Sequence, residues 1–342
     1  MIMWVVSACL LPAGAWGVYV FGARAAVTVL AAVLSAVIFE ALAALVCKEF
    51  TLWDGSAFLT GLLVGYNMPP EVNLYVPVMA SAFAILVVKW TFGGLGGNWM
   101  NPALAGRVFV FFSWTGSMTR WTMPKTWAVD AVSSATPLGF LKTRLMDLEE
   151  PVGGSIDLLN IGGYPASPMG ERIAHRISEA FGWSVDPLVL DQFIGNVPGC
   201  IGEVSAILIL LGGVILLILG IANWEIPLAY LATFGVLTWI LGGVRYGSGY
   251  FNGDFLVYLF SGGLFLGAFF MATDMVTSPL SRMGMIIFGA GAGFLTFLIR
   301  YYGSFPEGVS LAIILMNIFV PAINRITEPK RFGIRKAEEP GR

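Results

Sequence analysis

The sequence predicts an all-α polytopic membrane protein of about ten transmembrane helices, and three observations predict it. Hydrophobic residues make up 57% of the 342, and the mean hydropathy is +0.80. Charged residues make up only 12%, against about 25% in a soluble domain, so the chain has roughly half the charge needed to face water. Apolar windows of about 20 residues, long enough to cross a hydrocarbon core as helices, recur along the chain.

In order, the windows are residues 2–21, 25–47, 55–70, 73–91, 102–114, 202–221, 225–243, 253–272, 283–302 and 307–325. The first carries no basic flank and runs straight into the second, which predicts a membrane helix and not a signal peptide. The third and fifth are short and predict broken helices. Residues 115–200 form the one substantial polar region. It holds turn-rich runs such as Pro151-Val152-Gly153-Gly154 and Gly162-Gly163-Tyr164-Pro165. A short amphipathic helix is expected near 171–181, where Ile173, Ala174, Ile177 and Phe181 share a face.

The chain thus divides into a first transmembrane half (1–114), a loop region (115–200), a second transmembrane half (201–326) and a tail (327–342). Five spans per half is an odd number, so a second half built like the first is inverted in the membrane, as in many transporters. Residues 61–70 (GLLVGYNMPP) and 263–279 (GLFLGAFFMATDMVTSP) are loosely alike at matching places, and Asn101 and Asn317 occupy comparable late positions.

Basic residues set the orientation. Both termini fall on one side, with Lys48, Lys89, Arg107, Arg282, Arg325, Lys330, Arg331, Arg335, Lys336 and Arg342. The opposite short loops hold only Arg24, Arg245 and Arg300. This asymmetry of ten against three predicts cytoplasmic termini and an extracytoplasmic 115–200 region.

Composition also excludes several chemistries. A net charge of −2 leaves no basic footprint for nucleic acid. Cys9, Cys47 and Cys200 are scattered and His175 is the only histidine, so no metal site, haem or four-cysteine cluster is expected from this chain alone. A Ser-His-Asp triad is equally unsupported, and no catalytic residue is assigned. Any redox cofactor has to be held by other means.

The most informative segment is Asp130-Ala131-Val132-Ser133-Ser134-Ala135-Thr136, set among small residues immediately before Pro137. Threonine can form a phosphoester, so a flavin mononucleotide (FMN) tethered through its phosphate keeps its ring free; the alternative is an ordinary Ser/Thr-rich turn. Residues 195–205 (GNVPGCIGEVS) place Glu203 at the entry to the sixth span, either with a direct role or as an acid favouring a helix N-terminus. Residues 93–107 (GGLGGNWMNPALAGR) fail GxGxxG spacing at Trp99 and lack a βαβ context; Asn101-Pro102 capping a half-helix is the better reading. Residues 271–279 (MATDMVTSP) end the eighth span in polar side chains able to bond a flavin or an ion, or form a plain helix end and turn.

Together these segments resemble, in order and over residues 2 to about 326, the family of RnfD and its relative NqrB. The first is similar to the DxxSxAT flavinylation motif, with Ser134 where the family has glycine; the second is similar to GNxPGSxGExS, with Cys200 in place of serine; the last is similar to MATDxVTSP. The resemblance implies FMN joined covalently to Thr136 as a phosphoester, with Asp130, Ser133, Ser134 and Ala135 forming the motif around it. It implies flavin contacts at Asn101, Thr273, Asp274 and Thr277, and a second, non-covalent riboflavin. It further implies a flavoprotein subunit of the Rnf complex, relaying electrons between ferredoxin and NAD and coupled to export of Na⁺ or H⁺. The implied partners are the lipid of a bacterial inner membrane and the other Rnf subunits in a hetero-oligomer. NqrB carries a longer polar N-terminal region, so the length favours RnfD. Even so, the short polar leader usual in that family is missing, which marks the start of the chain as a candidate truncation. The alternatives are an NqrB-like quinone reductase subunit and a flavin-free inverted-repeat transporter or channel.

Glu40, Glu203 and Asp274 are the ion-pathway candidates. Glu40 lies deep in the second window with apolar neighbours on every side. An acid near a helix centre costs about 2.5–3.5 kcal/mol on insertion scales, so it is expected to face inward and find a partner. Glu203 and Asp274 lie near span ends, where water is expected to reach them.

Overall fold

The computed structural model describes residues 1–49, 51–125, 127, 135–146, 151–305 and 307–328, and these form helices and turns without a strand. The first half holds α1 (Ile2–Phe21), α2 (Ala23–Cys47), α3 (Ser56–Tyr66), α4 (Tyr75–Trp90, a π-helix from Phe83) and α5 (Pro102–Ser113). The middle region holds α6 (Pro137–Met146), α7 (Ser155–Ile161), α8 (Pro168–Phe181) and α9 (Pro187–Ile194). The second half holds α10 (Ala206–Ile218), α11 (Glu225–Leu241, extended by a 3₁₀ turn to Tyr246) and α12 (Phe255–Phe260). It continues with α13 (Leu264–Leu266, running into a π turn over Gly267–Met271), α14 (Arg282–Tyr301) and α15 (Val309–Thr327). Among the described residues α1, α2, α11, α14 and α15 are long and apolar enough to cross a membrane, and α3, α4, α5 and α10 are shorter apolar helices. The chain is a polytopic membrane protein.

The burial pattern is inverted relative to a soluble fold. On α2, Leu30, Leu34, Ile38 and Leu42 recur every fourth residue and are each more than half exposed. The opposite face, Ala25, Thr28, Ala32, Ala36, Glu40 and Ala43, is buried. With lipid as solvent, large apolar side chains lose nothing by facing outward, and small ones let helices approach. Gly61 and Gly65 of α3 do this against α2: a Cβ on Gly61 would lie 2.7 Å from the Val33 Cα, and one on Gly65 3.0 Å from the Val29 Cα. Gly289 and Gly293 of α14 lie equally close to the Ile226 and Tyr230 carbonyls of α11, 2.5 Å from each ideal Cβ.

The short third and fifth windows are short helices, of 11 and 12 residues. The eighth window holds a break that its even hydropathy conceals: α12 stops at Phe260 and α13 starts at Leu264, with Ser261-Gly262-Gly263 between. Two of the basic residues assigned to one set of loops, Lys89 and Arg107, are buried, as is Arg300 from the opposite set. They hold buried ion pairs or helix ends, so they carry no topological information. The amphipathic helix is α8, capped by the Ser167 hydroxyl accepting from the Gly170 N–H at 3.0 Å.

Candidate functional site

Two cavities collect the polar side chains of the membrane body. The larger, of about 90 Å³, is lined by Ser56, Thr60, Lys89, Asn98, Asn101, Thr273 and Asp274 among apolar residues of α1, α3, α10 and the 270–276 segment. Asn101 caps α5, its Oδ1 accepting from the Ala103 and Leu104 N–H groups at 3.0 and 3.3 Å, with Pro102 opening the helix. Its Nδ2 donates to the Met271 carbonyl at 3.3 Å. With its amide oriented to satisfy both ends, Asn317 accepts from the Asn101 N–H at 3.2 Å and donates to the Thr277 carbonyl at 3.3 Å. The two asparagines that the sequence sets at comparable positions therefore meet. Beside them Thr273 donates to the Phe269 carbonyl (2.6 Å), and Asp274 accepts from the Val276 N–H (3.4 Å) and the Thr277 hydroxyl (3.1 Å), forming a helix end and turn.

Glu40 finds its partner at the edge of this cavity. Its Oε1 accepts from Lys89 Nζ (2.7 Å) and the Thr51 hydroxyl (2.5 Å), and its Oε2 from Trp90 Nε1 (3.0 Å). Lys89 also donates to the Ser56 hydroxyl at 2.7 Å. Both oxygens and the ammonium are satisfied, which is the condition for burying such a pair.

The smaller cavity, of about 20 Å³, is lined by Thr136, Leu138, Val197, Cys200, Glu203, Phe260, Ser261, Gly262 and Glu307. Thr136 is the N-cap of α6: its Oγ1 accepts from the Gly139 N–H at 3.1 Å and its carbonyl from the Phe140 N–H at 2.8 Å. Pro137, the first helical residue, has no N–H to satisfy. The Thr136 side chain is buried, and the preceding Ala135 carbonyl accepts from the Tyr164 hydroxyl at 3.1 Å.

Glu203 is 4% exposed, so water does not bathe it as its place near a span end suggests. Nor does it serve the N-terminus of its own helix α10. One oxygen lies 3.3 Å from Arg107, without hydrogen-bond geometry, and neither oxygen has a hydrogen-bond partner. Arg107 is committed elsewhere, donating to Glu307 and, at 2.7 Å, to the Ser310 hydroxyl. The Glu203 carboxylate leans on the helix break instead: a Cβ on Gly263 would lie 2.7 Å from its Oε2. At the other side of the break Arg300 donates to the Tyr258 and Ser261 carbonyls at 2.7 and 3.1 Å. An acid thus meets the N-terminal start of α13 and a cation the C-terminal end of α12, each matched to the local helix dipole. Cys200, Glu203 and Glu307 come within 4.8 Å of one another, but Arg107 already supplies the positive charge among them.

In the middle region, Lys142 Nζ donates to the Phe305, Arg300 and Ile299 carbonyls at 2.6, 3.3 and 3.4 Å, closing the end of α14. Burial, with Arg245 and Arg300 facing it, pushes this ammonium down to about 8. Burial likewise pushes Asp191 up to about 6, opposed by the Ser167 N–H (2.7 Å) and hydroxyl (2.5 Å), which favour the carboxylate.

The structure gathers Asn101, Thr273 and Asp274 at one cavity and Thr136 and Glu203 at the other; Thr277 lies behind the first, and Glu40 meets it through Lys89. Asp130, Ser133 and Ser134 fall outside the described residues. Sequence reasoning missed Lys89, Arg107, Ser261, Arg300 and Glu307 as site residues. A lysine or arginine inside an apolar window was the available signal for the first two, Lys89 lying in 73–91 and Arg107 in 102–114.

Comparison with known proteins places the chain in a family. The D-type subunit of the proton-translocating ferredoxin:NAD(+) oxidoreductase complex of Clostridium ljungdahlii is 41% identical over 98% of this chain and 92% of its own length. Its counterpart in the Na(+)-translocating ferredoxin:NAD(+) oxidoreductase complex of Acetobacterium woodii is 39% identical over 99% and 92%. The counterpart in the ion-translocating oxidoreductase complex of Stutzerimonas stutzeri is 37% identical over 97% and 91%. The family described as NQR2, RnfD, RnfE matches residues 1–333, and the chain belongs to that family.

Proposed function

We propose that this chain is the RnfD-type membrane flavoprotein of an Rnf complex, relaying electrons between ferredoxin and NAD and carrying FMN as a phosphoester on Thr136. The observation that carries the reading is the position of Thr136, the last residue of a DxxSxAT segment and the N-cap of α6. A phosphate on that oxygen lies at a helix N-terminus, where the Leu138 and Gly139 N–H groups and the helix dipole favour negative charge. The donor set fits the group. The 20 Å³ cavity behind Thr136 has no room for a flavin ring. The flavin supplies one- and two-electron chemistry; the protein's part is to hold it and shape its electrostatics.

The larger cavity has the polar groups to read a flavin edge, in Asn98, Asn101, Thr273 and Asp274. Ligand pockets of drug size run to about 300–1,000 Å³, and at 90 Å³ this one does not hold a riboflavin as it stands. The partners in this reading are the other subunits of the complex and the lipid of a bacterial inner membrane, with cytoplasmic termini.

Coexpressed with a flavin transferase, the protein should fluoresce in a denaturing gel, and Thr136→Ala should lose the band while still inserting in the membrane. A fluorescent alanine variant would rule Thr136 out. Absence of any flavin in the wild type would favour a flavin-free transporter, for which the split α12–α13 helix is the specific support.

A further inference from the structure

We propose that Glu203, the Ser261 hydroxyl and the Ser261-Gly262-Gly263 helix break form a binding site for a single small monovalent cation, Na⁺ or a proton, directly behind Thr136. The site deepens the ion-translocating reading, on which it rests, and names where an ion would sit.

Its strongest support is unmet hydrogen-bonding capacity. Both Glu203 oxygens and the Ser261 Oγ are buried without hydrogen-bond partners, Arg107 standing 3.3 Å from one Glu203 oxygen, and both residues line the same cavity. Buried polar atoms left unsatisfied are rare and costly. The cavity's 20 Å³ is the size of one water-sized occupant. Oxygen ligands alone suit a hard cation. The surroundings decide its charge. Glu203 faces Arg107 from α5, Glu307 from the segment before α15, Arg300 from α14 and Cys200 from its own segment. The two arginines match the two glutamates in number, but Arg107 donates to Glu307 and Ser310 and Arg300 to the Tyr258 and Ser261 carbonyls, so the Glu203 carboxylate is left to meet one monovalent charge and has no second acid for a divalent one. Arg107 can leave Glu203 at little cost, since its hydrogen bonds go to Glu307 and Ser310. Discontinuous helices place their open ends at ion sites for the same electrostatic reason.

The test uses the full chain in its complex, in lipid nanodiscs. Thermal unfolding is followed while NaCl replaces KCl at constant ionic strength, and separately along a pH series without sodium. A ligand that binds only the folded state raises the unfolding midpoint. If Na⁺ is the ion, the midpoint should rise with NaCl. If it is the proton, it should rise as pH falls, stability being lost again as pH climbs through the folded-state pKa. In either arm the shift should vanish in Glu203→Gln. In Ser261→Ala, which keeps the charge and serves if Glu203→Gln fails to assemble, the apparent affinity should weaken by roughly tenfold, the worth of one ligand hydrogen bond. Thr136→Ala, lacking the flavin ester, should retain the shift. Identical responses of wild type and both site variants in both arms would overturn the proposal and leave an ordered water in the cavity. Because the flavin band is read on the same samples, that result leaves the Thr136 assignment standing.

Discussion

Glu40 and Glu203 are both acids buried in the apolar body of the protein, yet one has every oxygen bonded and the other has none. Glu40 meets a lysine, a threonine and a tryptophan, the lysine and tryptophan from α4. Glu203 stands beside an arginine whose hydrogen bonds go elsewhere, and faces a cavity. A fully bonded buried acid is part of the packing, and changing its charge undoes the packing. An acid with free oxygens and space in front of it can exchange a ligand without disturbing its neighbours. Depth in the membrane, the criterion available from sequence, ranks these two acids in the opposite order to bonding.

The largest expected effect is at Glu40. Glu40→Gln leaves Lys89 buried without a counter-charge and should cost about 3–5 kcal/mol, read as a lowered unfolding midpoint or lost yield of folded protein. Glu203→Gln leaves Arg107 bonded to Glu307 and should cost no more than about 1 kcal/mol. Equal losses in the two variants would collapse the distinction. The double variant Glu40→Gln/Lys89→Met sharpens it: removing both charges should recover a large share of the single-variant loss, and a double-mutant cycle with no coupling would show that the pair is not a unit.

Next in size is Gly263→Ala. Its Cβ would stand 2.7 Å from the Glu203 Oε2, an overpacking that costs about 1–3 kcal/mol and should displace the carboxylate from the helix break. An alanine variant as stable as wild type, with an unchanged cation response, would detach Glu203 from the break.

A further effect, read as a pH profile, lies outside the membrane helices, at Asp191. Burial raises its folded-state pKa from 3.8 to about 6, so the folded state binds the proton more tightly than the unfolded chain does. Its contribution to stability is fully present below the unfolded value and is lost as pH rises through about 6. Asp191→Asn should therefore flatten the stability profile between those two values; an unaltered profile would mean that Ser167 holds the carboxylate ionised.

Much of this architecture is legible in the sequence because lipid imposes a simple rule on long apolar segments, and each window meets a helix within a few residues. The 168–181 amphipathic helix and the Asn101-Pro102 cap are legible for local reasons, since periodicity and capping chemistry reside in neighbouring residues. The break at Ser261-Gly262-Gly263 is not, because serine and glycine are ordinary inside membrane helices. What opens that helix is opposite charge at its two sides, and Glu203 and Arg300 come from distant segments. Lys89 sits near the end of one apolar window and Arg107 in the middle of another, yet both read as loop charges; only the fold reveals Glu40 and Glu307 waiting for them. The DxxSxAT segment singles out Thr136, while its neighbours across the cavity come from residues 197–204, 260–262 and 307.

The capping role of Thr136 bears on the order of events in the protein's maturation. In the folded chain its hydroxyl is buried and accepts the Gly139 N–H, and the preceding Ala135 carbonyl accepts from the Tyr164 hydroxyl. A transferase acting on that oxygen needs the segment ahead of Pro137 to be open, which is most readily met before the 135–140 turn closes onto α7 and the 197–204 segment. On the proposed assignment of FMN to Thr136, flavin loading would be a step in biogenesis, competing in time with the docking of α6, and a protein that folds first would be a poor substrate. Supplying the transferase during synthesis and again after chase in intact membranes would display the competition, with late supply labelling only a minor fraction of the chains.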